Sequence, residues 1–149
     1  MELEYSAGIV IYNYGRYLLL NYGRSRITKN RWGLTKGRIE KDETVTQAAL
    51  REASEETGIK DISILEEFQH KIVYYFTRGA NRIKKTVIYL VGITPVSDVQ
   101  ISKEHIGHQW ATYEEALEML TFENTRKVIR AAERYLKENE LSKTPSEVK

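Results

Sequence analysis

The sequence of 149 residues contains no cysteine. This absence excludes a disulfide framework, a thiolate zinc site, an iron–sulfur cluster and a cysteine nucleophile. Long hydrophobic runs are also absent, because even a stretch such as Val87 to Ile93 is far too short to span a membrane. The first five residues include two acids and lack the basic and apolar pattern of a secretory signal. We therefore expect a cytoplasmic protein without a membrane segment.

The composition is that of a globular domain. Apolar residues make up 41% of the chain and charged residues 30%, and there are ten tyrosines, three phenylalanines and two tryptophans. This content excludes a low-complexity or disordered chain, and the length suits one compact core. We expect a single domain over residues 1–140 and a flexible C-terminal tail over residues 141–149. The sequence does not indicate an oligomeric state.

The net charge of +2 hides an uneven distribution of the two signs. From Arg24 to Arg38 there are six basic residues and no acidic one, whereas Glu40 to Glu67 contains nine acids and three bases. Basic segments attract phosphates, and clustered carboxylates attract divalent cations. The two adjoining segments therefore direct attention to a phosphate and metal site.

The hydrophobic pattern alternates between strand and helix signals. Two hairpins are predicted, one from Glu4–Tyr12 and Arg16–Tyr22 and one from Ile62–Thr77 and Ile83–Thr94, the latter with its turn at 78–82. Capping boxes and helical periodicity predict three helices, at 44–57, 112–120 and 124–139. Together these elements predict an α/β fold, a mixed sheet between helices in an α/β/α sandwich.

Three glutamates share one side of the first predicted helix. Glu52, Glu55 and Glu56 stand at positions i, i+3 and i+4, where like charges repel each other. A solvated helix face compensated by Arg51 explains this spacing, and so does a site for magnesium or manganese, which prefer oxygen ligands. The carboxylates alone leave both interpretations open.

A longer motif surrounds these glutamates. It consists of Gly37, five residues, Glu43, seven residues, and then the run from Arg51 to Ile59 with Gly58 before its end. This string resembles the Nudix box at every fixed position. The resemblance implies a Nudix hydrolase, an enzyme that cleaves a nucleoside diphosphate linked to another group by metal-assisted attack of water on phosphorus.

The resemblance also implies roles for the matching residues. Glu52 and Glu56 would be the principal ligands of Mg²⁺, or of Mn²⁺ in its place, and Glu55 would complete a second metal or its outer shell. Glu43 and Arg51 would form an ion pair that orients the helix face.

A further carboxylate lies outside the box. Glu104 stands in a Glu-His segment where related enzymes place a loop carboxylate that contacts the metal. The general base differs among Nudix subfamilies, and Glu55 and Glu104 are both candidates here.

Beyond the box, the chain from Tyr5 to Leu136 resembles the asymmetrical diadenosine tetraphosphate hydrolases. The residues that carry this resemblance are Trp32, Lys36-Gly37, Phe68 to Tyr74, Lys85 to Tyr89, Glu104-His105, Trp110 and Glu114 to Ala116. It implies cleavage of the tetraphosphate bridge to ATP and AMP.

The charge of two lysines and the same resemblance together predict the substrate contacts. Lys36, Gly37 and Lys85 would meet the bridge phosphates, and Tyr74 and Phe122 would stack on a base. Core packing explains both aromatic residues equally well.

Several alternatives remain open on the sequence. Arg78 and Arg82 suit substrate contact and a charge-protected edge hairpin equally. Thr35 stands where relatives commonly have proline, a difference that removes no charge or ligand. A Nudix enzyme acting on the RNA 5′ end would share the chemistry, and a non-catalytic nucleotide-binding module would share the fold.

Overall fold

The computed structural model describes residues 1–24 and 30–141. Arg26 and Lys29 of the basic segment, and the predicted tail beyond Leu141, lie outside the described residues. The elements are β1 (Glu2–Asn13), β2 (Arg16–Asn21), β3 (Trp32–Gly33), β4 (Thr35–Arg38), α1 (Val45–Thr57), β5 (Ser63–Ile64), β6 (His70–Arg78), β7 (Asn81–Ile93), β8 (Gly107–Ala111), α2 (Tyr113–Met119) and α3 (Glu123–Glu138).

The strands form one mixed sheet around a parallel central pair, β1 and β7. At one end of this pair, β4 runs antiparallel to β1 and β6 runs antiparallel to β7. The order across this end is therefore β4, β1, β7, β6. At the other end β1 forms the predicted hairpin with β2, which in turn pairs with β3 and β8.

Helices cover both faces of the sheet, so the predicted α/β architecture is confirmed. On one face Ala49 and Ala53 of α1 pack with Ile9 of β1 and its neighbours. On the other face Val128 and Ile129 of α3 belong to a second core with residues of β1, β6 and β7. Both faces of β1 and β7 are therefore apolar at their centres, as expected for strands covered on two sides.

The local helix signals are borne out. Thr44 caps α1 by accepting a hydrogen bond from the backbone of Gln47 (3.1 Å), and the Gln47 side chain returns one to the Thr44 backbone (2.9 Å). Gly58 ends the helix in the left-handed region at φ 74°. A second capping box at Thr112 opens α2. None of the described helices is long and apolar enough to cross a membrane.

The second predicted hairpin needs a correction. The segment predicted as one strand from Ile62 to Thr77 is divided into β5 and β6, with a turn closed between Leu65 and Phe68 (3.1 Å). The hairpin turn is also shorter than 78–82, because Arg78 pairs with Asn81 and leaves two residues between them. Alternating apolar residues do not reveal such a break, since β5 and β6 both pair with β7.

Candidate active site

The three glutamates of α1 occupy different environments. Glu56 is buried, with a side chain 6% exposed, whereas the side chains of Glu52 and Glu55 are 17% and 58% exposed. The exposure of these carboxylates therefore increases from Glu56, next to the sheet, through Glu52 to Glu55. The periodic spacing placed them on one side of the helix, and packing against β4 decides which of them is buried.

Glu56 is held by the strand that faces it. Its Oε1 accepts a hydrogen bond from the hydroxyl of Thr35 and another from the backbone N–H of Lys36 (3.0 Å). Its Oε2 lies 3.5 Å from Nε2 of His105. Burial raises the pKa of Glu56 to about 7, although the bonds from Thr35 and Lys36 act in the opposite direction. Sequence reasoning did not identify Thr35 as a site residue, because its hydroxyl has meaning only opposite this carboxylate.

Glu52 lies directly against Gly37. A Cβ atom built on Gly37 would be 1.9 Å from Cδ of Glu52 and 2.2 Å from its Oε1. No other residue type fits at position 37 with the carboxylate where it is. Burial raises the pKa of Glu52, against the effect of Arg51.

Arg51 joins the acidic residues of the site. Its Nε and Nη2 donate to the two oxygens of Glu43 (2.7 and 3.0 Å), which forms the predicted ion pair in bidentate geometry. Its Nη1 donates to Oε1 of Glu52 (2.9 Å) and lies 3.3 Å from Glu55. Arg51 holds the pKa of Glu43 below its ordinary value. Nη2 also donates to the backbone carbonyl of Arg38 (3.0 Å), so this side chain ties α1 to the end of β4.

The loop between β7 and β8 contributes His105 and Glu104. His105 is buried, with its Nδ1 2.9 Å from the Ser102 hydroxyl and its ring edge-on to Tyr22 at a centroid distance of 4.5 Å. Burial lowers the pKa of His105, so the ring is neutral near pH 7. Glu104 is exposed, and its charge contributes to the raised pKa values of Glu52 and Glu56, which places it near both.

An apolar cavity of about 400 Å³ is lined in part by Lys36, the residue whose backbone N–H is bonded to Glu56. Its walls include Tyr22, Trp32, Lys36, Tyr74, Tyr89 and Phe122. Nζ of Lys36 lies 3.1 Å from the Tyr74 hydroxyl and 5.6 Å from the centre of its ring. The structure thus brings together Lys36, Tyr74 and Phe122, three of the predicted substrate contacts, and Phe122 is 58% exposed at the cavity mouth.

Tyr89 is a cavity residue that sequence reasoning missed. Its hydroxyl is buried and has no hydrogen-bond partner among the described residues. The ring lies over Gly8, where a Cβ atom would be 2.6 Å from Cε1 of the tyrosine. Burial raises the pKa of Tyr89, so the phenol remains protonated. A buried hydroxyl without a partner is costly, and one that lines a cavity is available to a ligand.

Lys85 is placed differently from the other predicted substrate contacts. It is buried on β7, and its Nζ lies 3.3 Å from Oε1 of Glu4. It is paired across the sheet with Tyr74, beside the cavity. Its contact with phosphate stays a prediction.

The donor set suits a hard cation. Within residues 1–24 and 30–141, no three acidic or histidine side chains are close enough to enclose a metal ion by themselves. Glu52 and Glu56 nevertheless present carboxylate oxygens one helical turn apart, and glycine at position 37 leaves room for the Glu52 carboxylate against the strand. Mg²⁺ is typically bound through one or two carboxylates together with substrate phosphates and water. These residues therefore fit a cation that arrives with a phosphate substrate.

Comparisons with known proteins agree with this geometry. A family model described as NUDIX domain matches residues 2–132. The asymmetrical bis(5′-nucleosyl)-tetraphosphatase of Rattus norvegicus is 32% identical over 109 residues, which cover 70% of this chain and 71% of that protein. The crystal structure of a C. elegans Ap4A hydrolase binary complex superposes with a TM-score of 0.76 at 26% identity, covering 91% of this chain and 98% of that one. An RNA pyrophosphohydrolase of Bartonella tribocorum is 36% identical over 75 residues, 46% of this chain and 43% of that protein.

Proposed function

The chain belongs to the Nudix hydrolase family, and we propose that it hydrolyses the polyphosphate bridge of diadenosine tetraphosphate to ATP and AMP. The observation that carries this proposal is the aromatic cavity next to the carboxylates of α1, with Lys36 between them. A flat base and a chain of phosphates require such a pair of adjoining sites. The proposal covers one catalytic domain over residues 1–140.

In this proposal Glu52 and Glu56 hold Mg²⁺, or Mn²⁺ in its place. Such a metal, when bound, neutralises charge on the phosphates and lowers the pKa of a bound water. Glu43 and Arg51 keep the Glu52 carboxylate in place through the bidentate pair and the 2.9 Å bond. Hydrogen bonds from β4 do the same for Glu56.

The proton of the attacking water needs an accessible acceptor. Glu55 and Glu104 are exposed carboxylates at the rim of the site, and we assign the general base to one of these two residues. Glu56 is less suited to this task because its Oε1 already accepts two hydrogen bonds from β4.

The cavity would hold one adenine. Tyr74 and Phe122 line it together, and stacking on aromatic side chains contributes about 1–3 kcal/mol per base. The Lys36 ammonium at the same wall would pair with the phosphate next to this nucleoside. The Tyr89 hydroxyl would form a hydrogen bond to the bound nucleotide.

Hydrolysis at a triphosphorylated RNA 5′ end is the second candidate. The similarity to an RNA pyrophosphohydrolase over 75 residues supports it, as does the basic segment from Arg24 to Arg38. An RNA substrate predicts affinity that increases with chain length and falls steeply with salt. With a dinucleotide substrate, the affinity should not depend on chain length, and the contacts should not extend beyond two nucleosides.

Turnover of a substrate panel in ¹⁸O-water with Mg²⁺ tests the proposal. The panel contains dinucleoside polyphosphates, triphosphorylated and capped RNA, and nucleoside diphosphate sugars. We expect diadenosine tetraphosphate to react fastest, with ¹⁸O in one product that mass spectrometry identifies. Rapid turnover of another substrate while diadenosine tetraphosphate stays intact would refute the assignment.

Glu56→Gln tests the metal site itself. The substitution removes the charge but keeps the shape, so we expect at least about a 100-fold loss of kcat with an unchanged fold. Glu66→Gln, at an exposed position away from α1, is the matched control. Near-normal turnover of Glu56→Gln would remove Glu56 from the metal site.

A further inference from the structure

Four charged residues form a cluster beyond the cavity, on the same face of the sheet. They are Glu4 of β1, Arg38 of β4, Arg78 of β6 and Lys85 of β7, and we call them the Glu4 cluster. Oε2 of Glu4 lies 2.5 Å from Nη1 of Arg78 and 2.9 Å from Nη2 of Arg38, and its Oε1 lies 3.3 Å from Nζ of Lys85. One buried carboxylate thus gathers three cations from three neighbouring strands.

The register of the strands places this cluster next to the cavity. Gly8 pairs with Lys36 on one side and with Tyr89 on the other, and both of these partners line the cavity. Four residues along β1, Glu4 pairs with Lys85, which pairs in turn with the cavity residue Tyr74. Side chains two or four residues apart on a strand share a face, and four residues span about 13 Å. The positive charges of the cluster therefore lie on the same face of the sheet as the Lys36 side chain, further along β1.

The cluster has positive charge to spare. Glu4 neutralises one of its three cations, and Glu2, at 4.0 Å from Arg78, partly neutralises another. Together with Lys36, the cluster and Glu2 comprise four positive and two negative charges, which leaves a net charge of +2 on these six residues. Arg78 lowers the pKa of Glu4, so this carboxylate stays ionised at neutral pH and keeps its negative charge in the cluster.

The two arginines also have free donor groups. Their side chains are 66% and 56% exposed, whereas the Glu4 side chain is 2% exposed. A guanidinium has five N–H groups. Among the described residues, Arg78 donates one hydrogen bond to Glu4, from Nη1, and stacks on Phe76 at 5.4 Å, while Arg38 contacts Glu4 through Nη2 at 2.9 Å. Glu4 thus holds both guanidinium groups from the buried side and leaves their other N–H groups facing solvent. In this position an arginine can donate two parallel hydrogen bonds to phosphate oxygens.

We propose that the Glu4 cluster is a second anion-binding subsite, which holds the far phosphates of a long polyphosphate substrate through Arg38 and Arg78. This inference rests on the proposed function in one respect, namely that the near nucleoside occupies the aromatic cavity. It extends that function by naming residues that distinguish a long bridge from the short phosphate chain of a mononucleotide.

Arg82 provides a matched control on the same hairpin. It is paired with Thr77 and stacks on Tyr75 at 5.4 Å, on the face of the sheet opposite Tyr74 and Arg78. The structure thus separates two arginines that the sequence left equivalent. Replacing either arginine by glutamine lowers the net charge by the same amount. A difference in binding between the two variants must therefore come from the position of the side chain.

The first experiment measures binding of inorganic tripolyphosphate by calorimetry in EDTA, where neither metal nor turnover contributes. We expect Arg38→Gln and Arg78→Gln each to weaken this binding about tenfold, since each removes a charge-assisted contact. Arg82→Gln should change it less than about twofold, as an exposed charge acting at a distance. The affinity for AMP, which the cavity would hold, should be the same in all four proteins.

Two results would overturn the subsite. One is an equal effect of Arg78→Gln and Arg82→Gln, which would mean general electrostatic attraction. The other is a parallel loss of AMP affinity, which would mean that the substitution disturbs the cavity. Arg78→Lys keeps the positive charge but removes the paired N–H groups of the guanidinium. Thermal unfolding of each variant tests whether the ion-pair network around Glu4 is still intact.

A second experiment separates the two sources of a polyphosphate. An increase in KM of Arg78→Gln for diadenosine tetraphosphate assigns the subsite to a dinucleotide, and an increase confined to triphosphorylated RNA assigns it to the RNA 5′ end. No increase with either substrate overturns the subsite. Diadenosine tetraphosphate could fail as a substrate while Arg78→Gln still weakens tripolyphosphate binding more than Arg82→Gln does. In that case the proposed function is wrong and the subsite stands.

Discussion

The hydroxyl of Thr35 donates a hydrogen bond to Oε1 of Glu56, 21 residues further along the chain. The backbone N–H of Lys36 donates to the same oxygen at 3.0 Å. These two bonds attach the most deeply buried carboxylate of α1 to the strand β4. The hydroxyl of Thr35 therefore adds a side-chain restraint on Glu56 to the one that the backbone of Lys36 provides.

Thr35→Val tests this restraint. Valine keeps the shape and removes the donor, so Glu56 loses a hydrogen bond to a charged group, worth about 1.5–3 kcal/mol. We expect kcat to fall about tenfold or more at saturating Mg²⁺, with little change in KM. Thr35→Ser, which retains the hydroxyl, should restore most of the activity. Equal rates for the valine and serine variants would show that the bond has no role in turnover.

The raised pKa of Glu56 predicts a dependence of stability on pH. Without metal, the unfolded chain loses this proton near the ordinary value of 4.5, whereas the folded chain keeps it up to about 7. The free energy of unfolding should therefore fall as pH rises through this window and level off above it, with a difference on the order of 3 kcal/mol.

Urea unfolding in EDTA measures this effect as the difference between wild type and Glu56→Gln. The difference is needed because His105 contributes the opposite slope, since its lowered pKa favours the folded state as pH rises. A difference that does not vary between about pH 5 and pH 8 would contradict the buried, protonated state of Glu56.

Gly37→Ala should displace the Glu52 carboxylate. The added Cβ would be 1.9 Å from Cδ of Glu52, so the flexible end of that side chain must move. We expect kcat to fall about 100-fold, because a shift of about 1 Å in a reacting group has that effect, while the unfolding temperature changes little. Gly107→Ala is the control, since its nearest contact is 3.9 Å from the new Cβ. Wild-type activity of Gly37→Ala would exclude the observed position of Glu52 from catalysis.

Tyr89→Phe should separate stability from binding. The hydroxyl has no partner among the described residues, so its removal should leave the free energy of unfolding unchanged or raise it by about 1–3 kcal/mol. If a bound nucleotide uses this hydroxyl, calorimetry will show weaker binding of AMP at the same time. In Tyr17→Phe, by contrast, the lost hydroxyl donates to Glu133 at 2.6 Å, so that variant should be less stable. A loss of stability in Tyr89→Phe would show that its hydroxyl is satisfied within the protein.

The sequence anticipated the three helices, because the signals for them are local. The capping boxes at Thr44 and Thr112 and the stop at Gly58 predicted the ends of α1 and α2 to within about one residue. The Glu43–Arg51 pair also followed from the motif. Such signals act over one or two helical turns, so they are complete within a short segment of chain.

Features that depend on strand pairing could not be read in this way. The division between β5 and β6 depends on where each one pairs with β7, and the separation of Arg78 from Arg82 depends on the side of the sheet that each faces. His105, Thr35 and Tyr89 contribute to the site only because loops and strands distant in sequence meet there.

By itself, the sequence determined the family, the α/β architecture and the set of acidic residues on one side of α1, because helical periodicity and motif spacing are properties of neighbouring residues. The tertiary structure alone decided which of those carboxylates is buried, that Lys36, Tyr74 and Phe122 line one cavity, and that Glu4 holds three cations beside it. Burial and strand register set the energies of these groups, and both arise only when the sheet and its covering helices have assembled.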